Sequence, residues 1–245
     1  MEELRKRLRE NYERRFKRPK EPKYGTLNKG FTELELQHFL RNVPNDKFRL
    51  LFRYQAYLGL RIGEVCKLHI SNIDFKKREL IIKSEKAYKV DSLLIPTELF
   101  RDSIMFIDKN TNQIKLANNY IFFKEHDRNE NKVPHIDQNY VRKVFRETVQ
   151  KCGFDMIYSY SEEGYSNKKE RGLHRLTTHS LRHYAVTKFA KATNGNVVLT
   201  SRFARHLSPS TTIRYIAKDK EELYTNIELV FNKDKFNVFN GLGST

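Results

Sequence analysis

Apolar side chains recur with helical spacing at the start of the chain. Within residues 1–18 every fourth position is apolar among Arg and Lys residues, at Leu4, Leu8, Tyr12 and Phe16. This pattern predicts a basic amphipathic helix. Prolines and glycines within residues 18–30 then predict a linker. We therefore expect residues 1–30 to form a basic N-terminal helix and linker.

A second group of helices is predicted from residue 31 onward. Thr32 and Glu35 have the spacing of a capping box, in which each side chain bonds the other residue's backbone N–H at a helix start. Residues 45–70 carry apolar positions with helical spacing, and Gly59 predicts a bend between two helical segments. The main domain is expected to begin at residue 31.

Short apolar runs in the middle of the chain predict strands instead. The runs NIDF, ELIIK and SLLIP lie between residues 72 and 96, separated by polar residues. Their short length and their content of Ile, Leu and Phe predict a small antiparallel sheet.

The second half of the chain returns to a helical pattern. A helix is predicted with Asp137 as its cap and Gly153 as its stop, followed by a polar loop over residues 161–172. From there the chain is predicted to be mostly helical to about residue 231. We therefore expect an α+β fold, mainly α-helical with a small antiparallel β-sheet, over residues 31–232, and a loose tail over residues 233–245.

The charge balance narrows the class of partner. Lys and Arg number 47 against 30 Asp and Glu, which gives a formal net charge of +17. An excess of this size favours a polyanion, and double-stranded DNA is the partner that we expect. The alternative interpretation is a solvated basic surface with no nucleic-acid partner.

Cysteine content and hydropathy bear on the compartment. Cys66 and Cys152 lie far apart, which favours neither a disulfide framework nor a Cys-x-x-Cys metal site. No apolar run approaches the roughly 18–20 residues of a membrane span, and the N-terminus is charged rather than signal-like. We expect an intracellular chain without a membrane partner, cytoplasmic and associated with the nucleoid if its source is prokaryotic or viral.

Candidate chemistry is concentrated in two segments near the C-terminal end. The first reads TTHSLRHYAVTKFA, where Thr177 or Thr178 is a suitable N-cap and an apolar stripe predicts a helix. His179 and Arg182 lie three residues apart near the start of that helix. A helix N-terminus attracts anions, and an Arg beside it adds a fork of donors that matches a phosphate. A phosphodiester is therefore a suitable ligand for this segment.

The second segment reads ARHLSPSTTIRYIA. Ser208 and Pro209 predict the cap and first residue of a short helix that carries Tyr215 on its second turn. His206 precedes this helix, so a histidine and a phenol could face one site. A tyrosine hydroxyl is a weak nucleophile at its usual pKa of about 10, but nearby arginines would favour the phenolate and neutralise a phosphate.

These residues resemble the catalytic boxes of the tyrosine recombinases, or phage-type integrases. Those boxes are an Arg in G-L-R-x-x-E, then H-x-L-R-H, then a His followed nine residues later by the nucleophilic Tyr. The chain has LGLRIGE with Arg61 and Glu64, then HSLRH with His179, Arg182 and His183, then His206 and Tyr215. All three boxes occur in the family's order over residues 45–220. The resemblance implies a tyrosine-recombinase-like catalytic domain.

The resemblance also implies a lysine on a β-hairpin between the first two boxes. The stretch ELIIKSEKAYKVDSLLIP offers Lys83, Lys86 and Lys89. Lys86 fits the family's pattern of two lysines three apart before a strand that ends in Pro, with Lys83 and Lys89 as the alternatives.

The activity that the resemblance implies is metal-independent cleavage and rejoining of DNA, with no cofactor. Tyr215 would form a 3′-phosphotyrosyl link and release a 5′ hydroxyl that Lys86 protonates. Arg61 and Arg182 would hold the non-bridging oxygens, and His179 and His206 would bond the phosphoryl group or move the tyrosine proton. The accessory residues would be Glu64, which orients a partner, and His183, which is more often structural. The family also implies assembly as a dimer or tetramer on DNA.

The chain departs from the family in two places. Arg205 stands where glycine is common before the third-box histidine, and the resemblance does not explain it. The family usually has a separate N-terminal helical domain, for which residues 1–30 are too few, so we expect a shortened or minimal form or a fragment.

Three other interpretations remain at this point. His179 and His183 could ligate zinc, but Ser180 replaces the glutamate of the usual H-E-x-x-H motif. A type IB topoisomerase would use similar chemistry to relax DNA, and a DNA-binding remnant would keep the charge without the reaction. The target sequence, the biological setting and whether Tyr215 acts in its own site or a neighbour's stay open.

Overall fold

We describe a computed structural model of the chain over residues 29–83, 90–124, 134–160, 172–206 and 208–213. The basic helix expected within residues 1–18 and the tail expected over residues 233–245 lie outside the described residues. Within the described part the chain is mainly helical with small antiparallel sheets, so the predicted fold class is confirmed.

The first helices begin where the sequence places capping residues. Helix α1 spans Glu33–Asn42, and its N-cap Thr32 forms the predicted capping box with Glu35. Helix α2 spans Asp46–Leu58, and the side chain of its N-cap Asn45 accepts a hydrogen bond from the backbone N–H of Phe48. Each cap satisfies backbone donors that a helix start leaves without partners.

The bend predicted at Gly59 separates α2 from a shorter helix. Gly59 ends α2 in the left-handed conformation at φ 60°, which glycine tolerates because it has no Cβ. Helix α3 follows over Ile62–Cys66, and Ile70–Asn72 form one 3₁₀ turn. The helix is shorter than the sequence pattern predicts because His69 leaves the helical path to pair with Tyr120 in an antiparallel bridge.

The predicted sheet follows directly. Strands β1 (Ile73–Asp74), β2 (Glu79–Lys83) and β3 (Val90–Leu94) form an antiparallel sheet in that order, with Ile81 opposite Ser92. Leu80 and Ile82 are buried while their neighbours along β2 are more exposed. This alternation is the period-2 pattern of a sheet that covers the core with one face.

Between the sheet and the C-terminal helices, the described part of the structure contains one helix that we predicted and two helices and two strands that we did not. Helices α4 (Thr97–Lys109) and α5 (Thr111–Leu116) follow the sheet. Helix α6 (Gln138–Lys151) is the one expected after Asp137, whose carboxylate accepts from two backbone N–H groups. Strands β4 (Ile157–Tyr160) and β5 (Gly172–His174) then pair across residues 161–171.

The last described helices bring the two C-terminal segments together. Helix α7 spans Thr178–Ala192 with Thr177 as its N-cap, α8 spans Val197–Ala204, and α9 begins at Pro209 as predicted and spans Pro209–Ile213. Helix α7 packs against α2 and α8, and α8 packs against α9. The start of α7 and the end of α8 therefore lie near the end of α2.

An aromatic cluster holds this helical scaffold together. The ring of Phe39 is fully buried, with its centroid 5.3 Å from that of Phe31, 5.4 Å from that of Phe52 and 5.0 Å from that of Phe145. These residues come from α1, α2, α6 and the segment before α1. Tilted aromatic contacts of this kind stabilise the folded state by more than the burial of their apolar area alone.

We predict that Phe39→Ala lowers the free energy of unfolding by about 3–5 kcal/mol, because it removes a buried ring and leaves a cavity. Urea unfolding followed by far-UV circular dichroism measures this change. Leu34→Ala on the same helix is the control, since Leu34 is 79% exposed. We expect that control to change stability by less than about 0.5 kcal/mol. Equal losses in the two variants would contradict the assignment of Phe39 to the core.

Candidate active site

The candidate site lies where four helix ends meet. Helix α2 ends at Leu58, α3 begins after Arg61, α7 begins at Thr178 and α8 ends at Ala204. Two of these ends are C-termini, where backbone carbonyl oxygens lack helical partners and attract cations. Arginine side chains occupy the space between them.

Arg61 is held by the glutamate of its own motif. Its backbone N–H donates to Glu64 Oε2 at 2.7 Å, and its guanidinium Nη1 donates to Glu64 Oε1 at 2.8 Å. The Arg61 side chain is 31% exposed whereas that of Glu64 is 2% exposed. The carboxylate therefore supports the guanidinium from within the protein and leaves part of it accessible from solvent.

Glu64 stays ionised despite its burial. Burial favours the neutral carboxyl, but the charge of Arg205 and the hydrogen bonds and charge of Arg61 outweigh it, so the pKa of Glu64 is lowered. A buried carboxylate is tolerated here because cations flank it on two sides.

Arg182 joins the ends of α2 and α8. Its guanidinium Nη1 donates to the carbonyl oxygen of Gly59, and its Nη2 donates to that of Ala204. The residue is almost fully buried. A cation bonded to carbonyls at two helix C-termini is favoured by both helix dipoles, so Arg182 fixes the two ends against each other.

His179 and His206 lie within the field of the same arginines. Surrounding protein atoms and then the charges of Arg182 and Arg61 lower the pKa of His179, although its side chain is exposed. Burial and the charges of Arg182 and Arg61 lower the pKa of His206 to about 4. The structure therefore brings together four of the residues predicted from sequence, which are Arg61, Arg182, His179 and His206.

Helix α9 lies beside His206, one of the four clustered residues. His206 Nδ1 and Thr212 Oγ1 lie 2.9 Å apart, within hydrogen-bonding distance. This contact fixes the imidazole relative to α9, the helix that leads toward Tyr215 in the sequence. Tyr215 itself lies outside the described residues.

His183 lies at the edge of this cluster. It is one turn beyond His179 on α7, and Thr187 Oγ1 lies 3.4 Å from its Nδ1. Burial and then the charges of His179 and Lys29 lower its pKa to about 4. Apart from burial, the pKa of His183 is thus shifted by His179 and Lys29 rather than by the site arginines that act on His206, so His183 lies beside the arginine cluster.

Of the three candidate lysines, the structure describes the position of Lys83. Lys83 is the exposed last residue of β2. Lys86 and Lys89 lie outside the described residues, as Tyr215 does. The roles of all three lysines remain predictions.

Arg205 is the site residue whose role the sequence did not reveal. It caps α8 in the left-handed conformation, and its side chain is 1% exposed. Its Nη2 donates to Glu64 Oε2 at 3.1 Å and to the carbonyl oxygen of Gly59 at 3.1 Å. The available signal was its place where the family usually has glycine, which points to left-handed backbone but not to these contacts.

The described part of the chain bears on the metal and membrane expectations. Within it, no three His, Cys, Asp or Glu side chains are grouped as metal ligands would be. Cys66 and Cys152 are free thiols there, and burial raises the pKa of Cys66 to about 12. None of the described helices is both long enough and apolar enough to cross a bilayer.

We predict that Glu64→Gln lowers the free energy of unfolding by about 3–5 kcal/mol at pH 7, because it leaves a buried guanidinium without its counter-charge. The folded pKa of Glu64 is lowered, so its stabilisation is complete above the unfolded pKa of about 4.3 and is lost as pH falls through the folded value. Urea titrations followed by circular dichroism should show the gap to wild type narrowing below about pH 4.

Glu98→Gln is the control for this loss of one carboxylate. Glu98 pairs with Arg101 on α4, and both side chains are about two-thirds exposed, at 65% and 64%. Exposed pairs contribute at most about 1 kcal/mol. A Glu64 variant as stable as this control would show that the buried network does not stabilise the fold.

We also predict that His206 in the free protein is neutral at pH 7 and titrates near pH 4. Because its folded pKa lies below the unfolded value of about 6.5, the unfolded chain binds more protons and the free energy of unfolding falls as pH drops from about 6.5 to 4. Resonances of the imidazole, assigned by comparison with His206→Asn, measure the pKa directly. Titration near 6.5 would contradict the arrangement of cations around His206.

Comparison with known proteins identifies the family. The sequence model of the phage integrase family matches residues 30–222. The tyrosine recombinase XerA of Pyrococcus furiosus is 26% identical over 223 residues, which cover 89% of this chain and 68% of that protein. XerA of Pyrococcus horikoshii is 39% identical over 77 residues, covering 31% of this chain and 26% of that protein.

Solved structures agree on the fold. A crystal structure of XerA recombinase matches with a TM-score of 0.60 at 20% identity, over 80% of this chain and 64% of that one. XerH recombinase bound to its difH substrate matches at 0.61 and 18% identity, over 82% and 52%. This chain thus spans about half to two thirds of the length of these structures. Since the family model covers most of the sequence, the chain belongs to the phage integrase family.

Proposed function

We propose that the chain is a site-specific DNA recombinase that cleaves and rejoins strands through a 3′-phosphotyrosyl intermediate. The observation that carries this proposal is the cluster of Arg61, Arg182, His179 and His206 at the convergence of helix ends. Membership of the phage integrase family supports it. The named relative from Pyrococcus furiosus is a tyrosine recombinase.

The cluster suits a phosphodiester that becomes more negative in the transition state. The exposed part of the Arg61 guanidinium can bond a non-bridging oxygen, and the buried charge of Arg182 adds to the field. Both are held before the substrate arrives, so little reorganisation is needed when charge develops. Fixed donors of this kind contribute about 3–4 kcal/mol each to catalysis in other enzymes.

Tyr215 is the nucleophile in this proposal. Its oxygen forms the bond to phosphorus while the bond from phosphorus to the 5′ oxygen breaks. A neutral histidine can accept the phenolic proton, and the lowered pKa of His206 keeps it neutral at pH 7. Lys86 gives a proton to the leaving 5′ oxygen, with Lys83 and Lys89 as alternatives. The reaction needs no metal or other cofactor, and the reverse attack by a 5′ hydroxyl rejoins a strand.

Double-stranded DNA is the proposed partner. The net charge of +17 favours it. The matching structures include XerH bound to difH and an integrase of the Tn1549 transposon in complex with circular intermediate DNA, the latter at a TM-score of 0.60. A lambda integrase dimer on a core site matches at 0.52. By analogy, this chain would assemble with further copies on DNA, inside the cell and at the nucleoid of a prokaryotic or virus-infected host.

The reported relatives favour strand exchange over the two other DNA-related interpretations. They are recombinases and integrases, whereas a type IB topoisomerase would relax supercoils without exchange. A DNA-binding remnant would have no need for the charge arrangement around Arg61 and Arg182. Recombination is therefore the function that we test first.

We predict that the wild-type chain forms a covalent, SDS-resistant adduct with a nicked duplex from which cleavage releases a short fragment that carries the new 5′ hydroxyl. Because its target is not established, the substrate is a pool of such duplexes with a randomised central sequence, and adducts are resolved by gel electrophoresis. Tyr215→Phe should abolish the adduct, since phenylalanine has no nucleophilic oxygen.

Tyr140→Phe is the matched control. Tyr140 lies on α6 and is 51% exposed, so the loss of its hydroxyl should leave adduct formation unchanged. An adduct that persists in Tyr215→Phe would overturn the assignment of the nucleophile. Absence of an adduct in the wild type would overturn the proposed activity, and relaxation of supercoils without strand exchange would favour the topoisomerase.

A further inference from the structure

We propose that Arg205 is a positioning residue that holds Glu64, and through it Arg61, in the orientation that the phosphate needs. The inference deepens the proposed function and rests on it, since Arg61 is taken as a phosphate ligand. Arg205 occupies a place where the resemblance leads us to expect glycine. Its backbone conformation and its side-chain contacts both bear on this role.

The backbone of Arg205 adopts a conformation that usually favours glycine. It has φ 52° and ψ 46°, the left-handed region in which a Cβ approaches the neighbouring carbonyl. Glycine would adopt this conformation without that crowding. The arginine side chain therefore compensates for an unfavourable backbone conformation through its own contacts.

Those contacts all converge on the candidate site. Nη1 donates to the carbonyl oxygens of Phe203 at 3.2 Å and Leu58 at 3.4 Å, and Nη2 donates to that of Gly59 at 3.1 Å. Nη2 also donates to Glu64 Oε2 at 3.1 Å. Arg205 thus joins the ends of α2 and α8 and adds an ion pair to the helix that carries Glu64.

Arg205 is linked to Arg61 both through Glu64 and through its own backbone carbonyl. Glu64 uses Oε2 for both Arg205 and the backbone N–H of Arg61, and it uses Oε1 for the Arg61 guanidinium. The carbonyl oxygen of Arg205 also accepts from Arg61 Nη2 at 3.4 Å. Removing the Arg205 guanidinium would leave the buried carboxylate with one cation instead of two. The carboxylate would then be freer to take up a proton or to turn away from Arg61.

Arg202 provides the matched control for charge. It lies one turn earlier on α8 and is exposed, so Arg202→Met removes one positive charge near the site without removing a buried ion pair. Arg205→Met removes the same charge together with the contacts to Glu64 and the carbonyls. A difference between the two variants therefore reports the buried contacts.

The first measurement is the single-turnover rate of adduct formation at saturating DNA. We expect Arg205→Met to be slower by about 10²-fold, the scale of loss when a catalytic group is misplaced. Arg202→Met should cleave at the wild-type rate, and the two variants should bind DNA with equal affinity. Arg205→Lys should recover part of the rate because it restores the charge without the planar fork.

A further variant, Arg205→Gly, separates the effect of the backbone conformation from that of the side chain. Glycine suits the left-handed conformation, so this variant keeps the backbone while it removes the guanidinium. We expect the same loss of rate as in Arg205→Met. A wild-type rate in Arg205→Gly or Arg205→Met would overturn the inference while leaving the proposed recombinase activity intact.

Two properties would stay unchanged if Arg205 had a purely structural role. They are the pH dependence of the cleavage rate and the titration of the Glu64 carboxyl. The charged groups that face Glu64 are Arg61 from its own helix start and Arg205 from the end of α8. Without Arg205, the effect of burial is opposed by Arg61 alone, so the pKa of Glu64 should be higher than in the wild type. As the pH is lowered, the cleavage rate should therefore begin to fall at a higher pH than in the wild type. Carbon NMR of the Glu64 carboxyl measures this shift without any cleavage. An unchanged carboxyl titration in Arg205→Gly would overturn the inference even if the wild type proves inactive.

Discussion

The structure of the candidate site depends on one kind of interaction, the bonding of arginine guanidinium groups to carbonyl oxygens at helix C-termini. Arg182 donates to Gly59 and Ala204, which lie 123 and 22 residues from it in the sequence. Arg205 donates to Leu58, Gly59 and Phe203. Carbonyls at a helix end are oriented acceptors with partial negative charge, so the η nitrogens of these buried cations have acceptors, whereas Nε of Arg205 is buried without one among the described residues. The ends of α2 and α8 are thereby fixed relative to each other.

This arrangement determines the electrostatics of the surface above it. Among the described residues Glu64 is the buried carboxylate, it lies between the cationic groups of Arg61 and Arg205, and His179 and His206 both have lowered pKa values. The field is therefore positive before any ligand binds, and protonating a histidine at neutral pH would add repulsion. A phosphate diester, the substrate that we propose, would relieve this repulsion because it supplies the negative charge that the protein itself provides only in part. The same charges that disfavour a protonated histidine favour the proposed substrate.

The sequence predicted the parts of this arrangement that are encoded locally. Caps at Thr32 and Asp137, the bend at Gly59 and the three-stranded sheet depend on residues close to one another in the chain. Helix α4 could have been predicted, since Leu99, Ser103 and Phe106 have helical spacing and are buried. We missed it because our interpretation of this region followed the strand pattern that precedes it. Strands β4 and β5 had none, because their residues are partly exposed and their pairing joins segments on either side of residues 161–171. The roles of Tyr215 and Lys86 still rest on the family resemblance.

The contacts of Arg205 could not be predicted for a related reason. Its carboxylate partner Glu64 lies 141 residues away, and a lone arginine before a histidine gives no sign of which helix end it will meet. A glycine in its place would need no side-chain partner, whereas an arginine there is tolerated only if the fold provides buried acceptors. With arginine at this position, the left-handed backbone at the end of α8 therefore depends on the ion pair with Glu64 and on the carbonyl contacts. In the proposed recombinase, the residue that departs from the family's pattern couples the orientation of Arg61 to the packing of α8 on the end of α2.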